Sequence, residues 1–251
     1  MIEAGSLEYA FARMSARFGE RPDEALWRRV EIIRDFETLV TAVRASSLSA
    51  WVVGVGPQAG VHAIEAAARR HWRQLTAELA DWMPAAWRPA VLWCAVLLDL
   101  PALRSLAGSG PRPAWLREDP VYAGLSDRAF GAVDRERQAL LTEGIGDAPR
   151  VLAAWRAEWE RRLPQRLDRL PALAELERLL RAHAMQFAGA HPADGWPLRR
   201  ALGARLKLMF RRAPLDPAMA FIYLALAALE FERIRAELLR RRAFPRRALA
   251  A

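Results

Sequence analysis

Residues 219–229, MAFIYLALAAL, are apolar on every side of any helix they form. Such a helix has to be wrapped by other elements, so it lies inside the protein and needs several partners. Asp216 and Pro217 stand just before it and supply an N-cap and a first-turn residue. Beyond Leu229 the apolar pattern narrows to a stripe through Phe231, Ile234 and Leu238, with Leu239 beside it. One end of this helix is therefore core, and the other has a wet face crowded with arginine.

The rest of the chain supplies the wrapping. Ser6 caps a helix whose Leu7, Phe11, Met14 and Phe18 share one face, with Gly19 as its stop. Pro22 opens a longer segment along which Ile32, Phe36, Leu39 and Val43 form one stripe, broken at 45–49. A third helix spans 61–81, and Pro89 begins a fourth that Pro101 kinks or ends before a Gly/Pro loop at 107–113. Ser126 and Asp127 start another, Asp147 precedes one through Trp155 and Trp159, and Pro171 opens the next. After a loop at 189–197 come a helix over 198–212 and the terminal one from Pro217. Period-two alternation is almost absent, and the strand-like piece is AWVVGVG at 50–56. These patterns predict an all-α chain of about nine helices joined by ordinary loops. The two Gly/Pro-rich loops divide it into expected modules at 1–110, 111–195 and 196–251.

Composition narrows the class. With 251 residues, 53% apolar and 27% charged, the chain is globular rather than disordered. No charge-free apolar run reaches the roughly 18 to 20 residues that cross a bilayer, and no secretory leader is visible. The single cysteine, Cys94, sits among apolar neighbours and reads as a core thiol in a reducing cytoplasm. The net charge of +9 is carried by arginine, since Lys207 is the only lysine and asparagine is absent. That usage reflects a GC-rich coding bias, which weakens any inference from charge to nucleic acid. A positive surface still favours acidic partners and anionic surfaces.

Several stretches invite an enzyme reading but fail to support it. Gly54, Gly56 and Gly60 follow an apolar run but are spaced G-x-G-x-x-x-G, with no further βαβ pattern, so a plain turn is expected. His62, His71, His183 and His191 lack close ligand spacing. No nucleophile elbow, P-loop or aspartate-rich magnesium cluster is present, and no cofactor is expected. Ten tryptophans, with Trp72, Trp82, Trp87 and Trp93 in one region, read as core and helix packing. In the terminal helix Glu230–Arg233, Glu232–Arg235, Glu237–Arg240 and Glu237–Arg241 stand three or four apart. Pairing there leaves Arg242, Arg246 and Arg247 as uncompensated cations near a helix C-terminus that favours them.

The segment from Asp216 to Phe244 resembles the C-terminal signature of the C-subunit family of V-type/A-type ATPases, which includes the eukaryotic d-subunit. The matching positions are Asp216, Pro217, Tyr223, Glu230, Phe231, Glu232, Ile234, Arg235, Arg241 and Phe244. At the other end Tyr9, Ala12, Arg13 and Arg17 are similar to the family's opening helix, and residues 96–113 resemble an internal helix and loop, with Ala102 in place of its Asn. The chain is shorter than the family's three-module form, which points to a trimmed middle module.

The resemblance implies a funnel-like assembly of similar helical modules with no catalytic role. It implies a coupler between the central stalk and the membrane rotor ring of a proton- or sodium-transporting rotary ATPase, peripheral on the cytoplasmic face of the inner membrane. Tyr9, Arg13, Arg17, Arg235, Arg240, Arg241 and Arg242 are then the candidate partner contacts, the partners being the other components of the ATPase and, peripherally, lipid, with no small-molecule substrate. Two rival classes stay open: a basic helical nucleic-acid-binding or adaptor protein, and a helical isoprenoid-type enzyme with a cavity lined by paired acids.

Overall fold

Three aspartate and serine caps set the first helices of the computed structural model, which describes residues 5–107, 115–116, 122 and 148–244. The Oγ of Ser6 accepts the Tyr9 amide at 3.1 Å and starts α1 (Leu7–Gly19). Asp23 accepts the Leu26 amide at 2.7 Å to start α2 (Glu24–Ile32), and Asp35 accepts that of Thr38 at 2.7 Å to start α3 (Phe36–Arg44). The continuous stripe expected from 32 to 43 is thus corrected. Asp35 caps a new helix in its middle, Ile33 turns extended, and Ile32 is left 74% exposed.

The strand-like piece is no strand. Residues Ser49–Val52 form a 3-10 turn, and Gly54 takes a φ of +80°, which closes a plain turn as expected. Helix α4 (Val61–Trp82) follows. Then α5 (Arg88–Trp93) runs through a 3-10 stretch (Cys94–Asp99) into α6 (Leu100–Ala107), tightening just before Pro101. The chain continues as α7 (Ala148–Arg161), α8 (Pro171–Ala188), α9 (Gly195–Arg212) and α10 (Ala218–Ala243). Taking α5 and α6 as one interrupted helix gives nine among the described residues, and no strand occurs among them. The loop at 108–113, the helix from Ser126, Asp147, the boundary at 110–111, and Arg246 and Arg247 lie outside the described residues.

Helix α10 is the axis of the protein. Its residues 218–224, with Leu226 and Ala227, are buried, and it packs against α1, α3, α4, α8 and α9. The narrower stripe also holds, with Phe231, Ile234 and Leu238 at 4% exposure or less. Each large side chain buried there contributes about 1.5–3 kcal/mol. No helix among the described residues is long and apolar enough to cross a membrane.

Tryptophans knit the elements around this axis. The Trp72 indole donates to the Cys94 carbonyl at 2.8 Å, and Trp87 and Trp159 both stand edge-on to Phe221 of α10. Trp93 of α5 donates to the Trp155 carbonyl of α7 at 3.0 Å, and Trp155 donates back to the Trp93 carbonyl at 3.3 Å. Cys94 is a core thiol, as expected, and burial pushes its pKa up to about 12. Asp99 is fully buried and accepts from Arg73 at 2.6 Å and from the Tyr122 hydroxyl at 2.8 Å. Burial, then the Asp99 charge, holds the Tyr122 hydroxyl above its ordinary range.

Candidate functional site

The seven candidate contact residues fall into two groups, one on α1 and one on α10. Tyr9, half-buried, lies on α1 with Arg13 and Arg17, whose guanidinium groups stand 5.0 and 5.5 Å from the Trp82 ring centre. Arg17 also pairs with Glu78 of α4 at 2.6 Å. At the opposite end of α4, Arg235 pairs with Glu65 at 2.6 Å. Glu65 and Glu78 are thirteen positions apart, or about 20 Å along a helix, so the structure does not bring the two groups together.

The arginine row itself divides sharply by environment. Arg240 has a side chain 60% exposed and pairs only locally, with Glu237 at 2.9 Å. Arg242 is half-buried, sits 5.9 Å from the Phe36 ring centre and donates to the Gln58 carbonyl at 3.2 Å. Arg241 is a different kind of residue. It is 6% exposed and donates to the carbonyls of Val30 at 2.9 Å, Glu31 at 3.1 Å and Ile33, and to Glu237. Val30, Glu31 and Ile33 carry the last carbonyls of α2 and its cap, groups left without an intrahelical donor. Arg241 is therefore a buried clamp on the end of α2, which corrects its assignment as an accessible partner contact. A planar fork of donors suits that task, where a lysine point charge does not.

The intrahelical pairing expected upstream is also corrected. Glu230 pairs with Arg21 at 2.8 Å, Arg233 with Glu24 at 3.1 Å and Glu31 at 2.8 Å, and Glu232 approaches Arg199 at 3.8 Å. Long-range partners win because α2, α4, α9 and the turn between α1 and α2 hold fixed acids or bases against α10. The Glu237 pairs with Arg240 and Arg241 form as expected.

Beside this network lies a cleft of about 330 Å³ that the motif reading missed. One wall is α9, which presents Trp196, Arg199, Arg200, Gly203 and Lys207, and the other is α10 with Leu226, Leu229, Glu230 and Arg233. Arg21 closes the inner end, donating to the Leu226 carbonyl at 3.0 Å, while its Nε and Nη1 have no hydrogen-bond partner. Burial raises the Glu230 carboxyl to about 7 against the opposing pull of Arg21 and Lys207. A signal was present in the sequence, since 196, 199, 200, 203 and 207 recur at helical spacing on one face.

The histidines each have a structural neighbour. His71 stands edge-on to Trp51, His62 stacks on Trp115, His183 lies near Phe187, and His191 accepts the Ala193 amide at 3.3 Å. Among the described residues no three His, Cys, Asp or Glu side chains converge as a metal site would need. Of the ten tryptophans only Trp196 is exposed, at 37%.

Among the described residues, fold and surface define an all-helical protein with a tryptophan-rich interior, an arginine-clamped helix end and a cationic cleft. The chain matches no protein family, no curated protein and no solved structure in comparisons with each.

Proposed function

We propose that the chain is the non-catalytic coupler between the central stalk and the membrane rotor ring of a rotary V-type/A-type ATPase that moves protons or sodium. It would work at the cytoplasmic face of the membrane. The observation that carries this reading is the packing of the two end segments that bear the resemblance. Helix α1 lies against α10 and α4, and Arg21, just beyond α1, pairs with Glu230 at 2.8 Å and stands 5.8 Å from the Tyr223 ring centre. The similar residues at the two ends thus belong to one packed unit. A torque-bearing body also has to be stiff, and the ties from α10 to α2 and α4 through Arg233, Arg235 and Arg241 support that role. Arg13 and Arg240 stay exposed and suit an acidic stalk foot or an anionic headgroup layer. The nucleic-acid alternative gains little from tryptophans that are almost all packed inside.

The test is affinity purification of the tagged protein from gently solubilised membranes of its host, with partners identified by mass spectrometry. Ring and stalk components are expected together, and Arg13→Glu, on an exposed position, should deplete them without unfolding the protein. Recovery of the protein alone, or with nucleic acid, would sink the coupler reading.

A further inference from the structure

We propose that the cleft between α9 and α10 is a binding site for a small organic phosphate, with the phosphate seated over Gly203 between Arg200 and Lys207. Such a site is independent of the coupler reading and follows from charge, shape and spacing alone.

Five cations line the cleft, namely Arg21, Arg199, Arg200, Lys207 and Arg233, against two acids, Glu24 and Glu230. Three of the five are matched. Arg21 faces Glu230, Arg233 is held by Glu24 and Glu31, and Arg199 faces Glu232. Arg200 and Lys207 are exposed and form no ion pair with a described residue. Only the longer-range pull of Glu24 on both, and of Glu230 on Lys207, offsets them, and two positive charges on one wall with no hydrogen-bonded counter-ion favour a dianion.

The helix places these two where one compact group reaches both. Arg200 precedes Gly203 by three positions and Lys207 follows it by four, so all three share one face of α9. With no side chain at Gly203 the wall between them is low, and an added Cβ would stand in contact with Leu229 Cδ1 at 3.6 Å. The remaining surface is apolar or aromatic. Leu226 and Leu229 form the floor, and the Trp196 ring stands at the mouth with the Arg199 guanidinium 5.1 Å from its centre. A phosphate on the cations and a carbon body on that floor satisfy both parts.

Size and charge distribution exclude an extended polyanion. A volume of about 330 Å³ lies at the small-molecule end of binding clefts. Glu24 and Glu230 in the same lining would repel a strand with a charge every few ångströms more than a single dianion held by Arg200 and Lys207.

The experiment is calorimetric titration of the full chain at low salt with phenyl phosphate, and in parallel with inorganic phosphate. One saturable site is expected, several-fold tighter for phenyl phosphate because of its apolar body. The double variant R200M/K207M should weaken it at least tenfold, and Gly203→Leu should abolish it, both with an unchanged circular dichroism spectrum. Arg166→Met, at a remote side chain 82% exposed, should leave it as it is. A second arm sediments the protein with phosphatidylcholine vesicles, with and without phosphatidate. Sedimentation that depends on phosphatidate, Arg200 and Lys207 assigns the phosphate to a lipid headgroup, and titration without sedimentation assigns it to a free small molecule. No saturable binding in either arm overturns the proposal, as does equal weakening by Arg166→Met.

Discussion

The indole of Trp93 donates to the backbone carbonyl of Trp155 at 3.0 Å, and the indole of Trp155 returns the bond to the carbonyl of Trp93 at 3.3 Å. Two helices that lie 62 positions apart in sequence are thereby joined by a reciprocal pair. Arg162 covers it, with its guanidinium 4.4 Å from the Trp93 ring centre.

Trp155→Phe keeps an aromatic ring but removes one donor and part of the indole's volume, so it should cost about 1–2 kcal/mol in urea unfolding. Trp93→Phe should cost a similar amount. Because each bond fixes the geometry of the other, the double variant should cost less than the sum, by roughly 0.5 kcal/mol or more. Strict additivity would show that the two bonds act independently.

Neighbouring arginines should behave very differently on truncation. Arg241→Lys loses the fork that holds three carbonyls at the end of α2 and should cost about 2 kcal/mol or more. Arg240→Met, at a solvated side chain, should stay within about 0.5 kcal/mol of the parent. Equal midpoints for the two variants in denaturant would refute the clamp.

Asp99→Asn leaves the Arg73 guanidinium facing a neutral amide in a fully buried position. The expected loss is about 3 kcal/mol, the scale of breaking a buried pair by removing one partner. A change under about 1 kcal/mol in thermal or urea unfolding would show that Asp99 is not a charged anchor.

Two partly buried groups give opposing pH slopes. His71 is held neutral, with its pKa lowered to about 4 by burial and then by Arg17. The unfolded chain binds its proton more readily, so this stability is present above about 6.5 and is lost as pH falls toward 4. Glu230 is raised to about 7, chiefly by burial, so its protonated form favours folding below about 4.5 and that advantage is lost as pH rises to 7. The charges around Glu230 are Arg21 and Lys207, with Tyr223 also packed against Arg21. His71→Phe should therefore leave stability that falls from about pH 5 to 7, and Glu230→Gln stability that rises over the same range. Matching slopes in the two variants would disprove the assignment.

Local physics made much of the fold legible. Ser6, Pro171 and Pro217 mark their helix starts by chemistry confined to one turn, and the all-round apolar run at 219–229 had to be buried. The split between α2 and α3 was harder to see because Ile32 continues an apolar stripe in sequence, yet points to solvent once Asp35 caps the next helix. Ion pairing was misread for a related reason. Spacing identifies partners on the same helix, whereas Glu24, Glu31 and Glu65 reach α10 from elements more than 160 positions away. The cationic face of α9 was written plainly at helical spacing, but its meaning depends on α10 lying opposite.

The clamp on α2 also sets an order of events during synthesis. Arg241 lies 208 positions after Ile33, whose carbonyl it holds. At typical elongation rates of about 5–20 residues per second, α2 waits on the order of 10–40 s for its cap to be made. The first three helices leave the ribosome before α10, the axis that they surround, exists. Their apolar stripes lack this partner through that interval, and the packing around α10 is completed only when α10 closes over them.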